Sequence, residues 1–316
     1  MSRFRNALPQ LGEGRFLTDA GLETDLIFNR NIPIREFAAH TLLGAPEGRA
    51  ALEIYFNGFL QLARAMDAGF VLDAVTWKAQ RCWADDLGAS IADLRDANRQ
   101  AVAFAAGLRE RADNPRPVVL GALVGPRGDA YRPETRITAN QARDYFDEQL
   151  GWLAETEVDM VTGLTFNQAA EAVGFVRAAQ GQGLPAVVSF TVETDGALPD
   201  GQFLAEAIGQ VDDETGAGAA YFMVNCAHPD HFSPVLTAEA WAKRIRGVRA
   251  NASRRSHAEL DEASDLDAGD PDEFGQLHGL LGQRLPHLKV WGACCGADLR
   301  HVTRIAEAVF ERPQTH

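Results

Sequence analysis

The chain has 316 residues, of which 46% are hydrophobic and 23% charged, with a formal net charge of -14. That length and apolar content support a sizeable packed core and exclude wholesale disorder. The negative charge repels a phosphate backbone and no Lys/Arg cluster with interleaved aromatics offsets it, so nucleic acid is excluded as a partner class and small molecules are favoured.

The N-terminal stretch MSRFRNALPQLGEGRF lacks the continuous apolar segment of a signal peptide. No run approaches the roughly 18 apolar residues of a membrane span, so the reading is a cytoplasmic protein with no membrane partner.

Short apolar runs ending in polar or Gly-rich turns predict eight strands: Arg15–Asp19, Phe70–Trp77, Pro117–Val124, Val158–Phe166, Ala186–Val192, Ala219–Cys226, Gly247–Ala252 and Lys289–Cys294. Helical periodicity predicts helices over Gly48–Ala68, Ile91–Arg111, Ala139–Glu157, Ala169–Gln180, Gln202–Thr215, Ala238–Arg246 and Phe274–Leu285. Strands apolar on both faces suit a parallel sheet buried on both sides. The alternation points to an α/β fold, a closed (β/α)8 TIM barrel forming one domain over residues 1–316. An open doubly wound sheet is the alternative, since alternation does not itself specify closure.

Four cysteines in a chain of this length are too few for a disulfide framework. Three of them fall at expected strand ends. Cys294 and Cys295 sit in KVWGACCGAD (289–298) between Gly292 and Gly296, whose freedom lets a tight turn aim two sulfurs at one point. Cys226 ends the run AAYFMVNCAHP (219–229). In a barrel all strand C-termini open on one mouth, so the three sulfurs would converge there. Three sulfurs on zinc leave a fourth position open, as in catalytic sites. The alternatives are buried cysteines acting as small hydrophobes, or a disulfide within the vicinal pair.

Around these motifs, His228 stands two residues beyond Cys226 and is a candidate to support the site through its ring. Cys82 has no partner motif and reads as a plain buried cysteine. Glu193 and Asp195 lie on a turn-rich loop after the fifth strand. The acidic segment 257–273 reads as a solvated helix and loop, with a lid over the mouth as the alternative. The Gly-rich pieces GALVGPRG (121–128) and TGAGAA (215–220) match neither phosphate-loop nor dinucleotide patterns, so no nucleotide cofactor is expected.

The combination TDAGLET (18–24), VNCAHP (224–229) and GACCG (292–296) resembles the homocysteine S-methyltransferase family, which includes betaine-homocysteine methyltransferases. The resemblance spans the chain from the first strand to the last. It implies a (β/α)8 barrel in which Cys226, Cys294 and Cys295 hold zinc, and a small-molecule thiol, homocysteine, takes the fourth position. The implied reaction moves a methyl group from a sulfonium or ammonium donor to that thiolate, giving methionine. Asp19 would hold the amino group of the substrate, Ala20 and Gly21 would shape the turn beside it, and Thr165 and Asn225 would complete the substrate side.

The chain departs from the family pattern in places. Ala20 and Ala293 replace glycines. The fourth strand ends GLTFNQ (163–168), with Thr165 or Asn167 where many members carry a Glu that binds the substrate amine. That leaves room for another small thiol, or for a zinc- or thiol-binding barrel without turnover. A zinc hydrolase is disfavoured, because an anionic three-thiolate centre polarises a carbonyl poorly. The second strand ends VTWKAQ (75–80), where Trp77 and Lys78 would alter the donor pocket, Trp77 by packing or by facing a methylated cation.

Overall fold

The computed structural model describes residues 1–131, 136–237, 239–263 and 265–310. Its eight strands are β1 (Phe16–Leu17), β2 (Gly69–Ala74), β3 (Val118–Val124), β4 (Met160–Phe166), β5 (Ala186–Phe190), β6 (Ala219–Asn225), β7 (Ile245–Ala250) and β8 (Val290–Ala293). They pair in parallel in sequence order, and β1 meets both β2, through Phe16 and Gly69, and β8, through Phe16 and Val290. The sheet is therefore a closed barrel without a free edge, and the open-sheet alternative is excluded.

Around it lie α1 (Pro46–Ala65), α2 (Ile91–Arg111), α3 (Ala139–Ala154), α4 (Ala169–Gly181), α5 (Leu204–Thr215), α6 (His257–Asp261), α7 (Pro271–Arg284) and α8 (Leu299–Phe310). Alternation along each strand divides the core in two. Val71, Val119, Met160, Val187, Tyr221 and Val290 fill the barrel. Their neighbours Phe70, Leu72, Leu120, Phe222 and Trp291 face the helices. Ser90 and Thr138 start α2 and α3 through reciprocal capping boxes with Asp93 and Gln141.

Three expectations change. The helix predicted over Ala238–Arg246 is only a 3-10 turn at Trp241–Arg244, with Ala238 outside the described residues. Arg244 reaches back to Asp212 on α5 and to the Ala219 carbonyl, and β7 already begins at Ile245, so no length remains for a helix. The tail of the acidic segment forms the start of α7: Asp270 accepts from the Asp272 N–H at 2.8 Å, and Pro271 occupies the first turn. A last helix, α8, follows Asp298, which accepts from the Arg300 N–H at 2.9 Å. Among the described residues no helix is long and apolar enough to cross a membrane.

The N-terminal segment closes the bottom of the barrel. Leu8 joins the interior cluster, and Gln10 is fully buried, its amide donating toward Met160 Sδ at 3.1 Å and Tyr221 Oη at 3.4 Å. Asp159 ties this plug down. It is fully buried and accepts from the backbone N–H groups of Arg3, Phe4 and Leu120 at 2.6, 2.7 and 2.9 Å, and from Arg109 Nη1 at 3.2 Å. Removing this carboxylate leaves the buried Arg109 guanidinium with only the more exposed Glu157 and Glu110, and three backbone N–H groups without that acceptor. Asp159→Ala is expected to destabilise the fold by about 3–5 kcal/mol, read as a lowered midpoint in urea unfolding followed by circular dichroism.

Candidate metal and thiol centre

The ends of β6 and β8 bring the three cysteines together. The Sγ atoms of Cys226, Cys294 and Cys295 all lie within 4.8 Å of one another. Cys226 and Cys294, 68 residues apart, are joined as a disulfide with Cα atoms 5.5 Å apart, while Cys295 is free. The sulfur pairing thus runs between strands and not within the vicinal pair. Reduction of that bond frees two thiols beside a third, a donor set suited to a soft or borderline metal such as zinc.

The glycines flanking the pair act for different reasons. Gly296 has φ +77°, a left-handed turn residue. Gly292 is required by space, because a Cβ there would collide with the Thr18 hydroxyl. Gly21, in the turn after β1, lies against the same loop: a Cβ on it would stand 2.6 Å from the Cys294 carbonyl oxygen. Two hydrogen bonds interlock these turns, from Gly21 N–H to Ala297 O at 3.2 Å and from Gly296 N–H to Thr24 Oγ1 at 3.1 Å.

Cys226 is held in a left-handed conformation, φ 52°, which costs on the order of 1–3 kcal/mol for a side-chain-bearing residue. Its surroundings hold it there. Its N–H donates to Arg249 O at 3.1 Å, and its carbonyl lies 3.2 Å from Asn251 Nδ2 and 2.6 Å from His257 Nε2. The other ring nitrogen of His257 lies 3.1 Å from Glu193 Oε1. His228, expected to support the site, instead turns its ring toward His231 and Phe274 and accepts from the Asp230 N–H at 3.2 Å; burial lowers it to a pKa of about 4. His257, on α6, stands in its place. No motif marks that residue, which lies 31 positions beyond Cys226.

Asn225 and Thr165 form the floor. Asn225 donates to Thr165 Oγ1 at 2.8 Å and accepts from the Thr165 N–H at 3.0 Å and from Ser189 Oγ at 2.6 Å. Thr165 is also left-handed, φ 67°, and its hydroxyl lies 3.9 Å from Cys226 Sγ, while Asn225 Nδ2 lies 4.0 Å from Cys294 Sγ. Asn167 points away to the Ala130 carbonyl at 2.7 Å.

A cavity of about 310 Å³ opens above the sulfurs, lined by Asp19, Ala20, Gly21, Glu23, Lys78 and Thr165 among others. Asp19 is not free within it. Arg249 Nη2 approaches Asp19 Oδ1 at 2.5 Å, the Tyr55 hydroxyl donates to Asp19 Oδ2 at 3.2 Å, and Arg249 Nη1 meets Asp73 Oδ2 at 3.0 Å. Burial pushes Asp19 upward and Asp73 up to about 7, with the Arg249 charge opposing both. Burial likewise pushes Glu23 up to about 7 and the Cys295 thiol up to about 11, where the Glu23 charge adds to the shift. A thiol in this setting gives up its proton readily only when a cation arrives.

Trp77 lines the same cavity and donates its indole N–H to the Leu164 carbonyl at 3.0 Å, a packing role. Cys82 is half-buried in a 3-10 turn, apart from the other cysteines. Asp195 accepts from the Ala197 N–H within its loop at 3.0 Å. A second cavity, also about 310 Å³, lies beyond Cys295 and Tyr131 and is walled by the acidic segment through Leu260, Asp261, Asp265 and Asp267. Cys295 therefore borders both spaces.

This geometry makes Asn225, fully buried at the end of β6, the residue that holds Thr165 beside the sulfurs. Asn225→Ala is expected to weaken zinc binding by the reduced protein about 10–100-fold, measured by competition with a chromophoric chelator, with the far-ultraviolet spectrum unchanged.

Among solved structures, the metallated form of the homocysteine methyltransferase MmuM from Escherichia coli is similar at 16% identity and a TM-score of 0.71, over 95% of this chain and 98% of that one. Its oxidized form is similar at 15% identity and a TM-score of 0.73, over 96% and 99%. At such identity these likenesses speak for the fold. No curated protein matches the chain in sequence. The profile of the homocysteine S-methyltransferase family matches residues 16–309, nearly the whole barrel with all three cysteine positions, and the chain belongs to that family of methyltransferases.

Proposed function

We propose that residues 1–316 act as one domain, a zinc-dependent homocysteine S-methyltransferase that forms methionine from a sulfonium or ammonium methyl donor. The observation that carries this reading is the convergence of three sulfurs within 4.8 Å at a mouth where two cavities meet. The donor set fits zinc, with Cys226, Cys294 and Cys295 as the residues that would hold it. Zinc held there supplies a positive charge that favours the deprotonated, nucleophilic form of a substrate thiol.

The remaining work falls to the chain itself. Asn225 and Thr165 space the sulfurs, and His257 and Asn251 hold the Cys226 carbonyl, so the ligand positions are set before substrate enters. Buried apolar walls, Leu164, Val75 and Phe56 in the first cavity, exclude water from the acceptor sulfur. The two cavities suit two substrates that approach one point from different sides. The acidic lining of the second cavity, with Phe28 and Phe37 beside it, favours a cationic donor over an anionic one. A reducing cytoplasmic compartment would keep the cysteines available as thiols.

The test is methionine formation by reduced, zinc-loaded protein given homocysteine and, separately, S-methylmethionine, S-adenosylmethionine, betaine or a methylated folate. Product is expected with a cationic donor, and Cys294→Ser should lower the rate at least about 100-fold. Turnover with the anionic folate alone would overturn the donor assignment. Absence of product with every donor, despite one zinc per chain, would overturn homocysteine methylation by these donors.

A further inference from the structure

Asp19, the acid expected to bind the substrate amine, lines the cavity but already accepts from two side chains. Asp19 spends one carboxylate oxygen on Arg249 and the other on Tyr55, and the same guanidinium also holds Asp73. The end of β4 presents Thr165 to the cavity and turns Asn167 elsewhere, so no carboxylate comes from there. Glu23, Lys78 and Asp129 line the cavity and make no ion pair among the described residues. Glu23 stands on the helical turn that follows β1, two residues beyond Gly21, which packs against the Cys294 carbonyl. Lys78 stands across the mouth after β2. Its Nζ donates to the Glu36 carbonyl at 2.7 Å and lies 3.8 Å above the Trp83 ring, contacts that fix the ammonium group while leaving donor capacity toward the cavity.

The other carboxylates at this mouth are less suited. Asp129 accepts from the Tyr131 N–H at 2.8 Å within its own loop, and Asp261 belongs to the wall shared with the second cavity. Arg249, the other cation lining this space, is committed between Asp19 and Asp73. Glu23 and Lys78 are thus the acid and the cation on this cavity that are held neither by a second charge nor by a turn of their own loop.

We propose that Glu23 and Lys78 are the specificity-determining pair for the acceptor, Glu23 receiving the α-ammonium group and Lys78 the α-carboxylate of an amino-acid thiol whose sulfur sits at the three cysteines. The assignment rests on the thiol-site reading given above, and it accounts for how a barrel without a β4 acid selects an amino acid. Each contact is a charge-assisted hydrogen bond at a half-buried side chain, where loss of one partner leaves the substrate charge unmatched.

The experiment is isothermal titration of reduced, zinc-loaded protein with three thiols: homocysteine, 4-mercaptobutanoate, which lacks the amine, and 3-mercaptopropylamine, which lacks the carboxylate. Glu23→Gln should weaken homocysteine and 3-mercaptopropylamine by about 10-fold or more and leave 4-mercaptobutanoate unchanged. Lys78→Gln should weaken homocysteine and 4-mercaptobutanoate and spare 3-mercaptopropylamine. The ratio of affinities within one variant does not depend on how much of the protein is folded. Equal weakening of all three thiols, or of none, would overturn the pair while leaving the thiol site standing. No thiol binding by the zinc-loaded wild type would overturn the thiol site and the pair together.

Discussion

Everything at the mouth depends on closure of the sheet through a strand of two residues. Phe16 and Leu17 pair with β2 on one side and β8 on the other, which brings the turns after β1 and β8 side by side. Those turns then interlock by backbone contacts, Ala293 N–H to Asp19 O at 3.1 Å and Gly21 N–H to Ala297 O at 3.2 Å, across a contact too close for a Cβ at Gly21. Parallel closure also points every strand's C-terminal end the same way. Cys226 can therefore meet Cys294 and Cys295 although 68 residues separate the first two.

The site holds its sulfurs at a local cost that the surrounding hydrogen bonds offset. Cys226 and Thr165 both occupy left-handed backbone conformations, and the side chain of Asn225 holds Thr165 by two hydrogen bonds. Below them one guanidinium lies between two buried carboxylates, and Glu23 adds a further acid at the wall. Burial, with the Glu23 charge adding to it, raises the Cys295 thiol, which makes the site receptive to a cation and disfavours a bare thiolate.

Residues near in sequence to the cysteines were not always their partners in space. His228, two positions from Cys226, faces α7, whereas His257 reaches the Cys226 carbonyl from the acidic segment. That segment is therefore more than a solvated loop: its first turn buttresses the cysteine loop, its middle walls a cavity, and its end caps α7. The N-terminal plug carried no sequence signal either, because the residue that secures it, Asp159, looks like any polar residue at the start of a strand until Arg109 and the Arg3 and Phe4 N–H groups converge on it. The segment 238–246 showed helical periodicity, but β7 needs Ile245 onward to pair with Phe222, and pairing across the barrel prevails over a local preference.

What the sequence determined by itself was periodic or local: eight apolar runs, most of the helices between them, the cysteine motifs and the glycine-bearing turns. These are legible because strand burial, helix periodicity and turn geometry each act over a few neighbouring residues. Only the tertiary structure decided that the sheet closes, that Cys226 pairs with Cys294, that Asp19 meets Arg249, and that Glu23 and Lys78 line the cavity that holds the sulfurs. Those outcomes depend on which charges are brought within a few ångströms of each other by closure. Arg249 stands 230 positions from Asp19, and nothing in the intervening chain records that they meet.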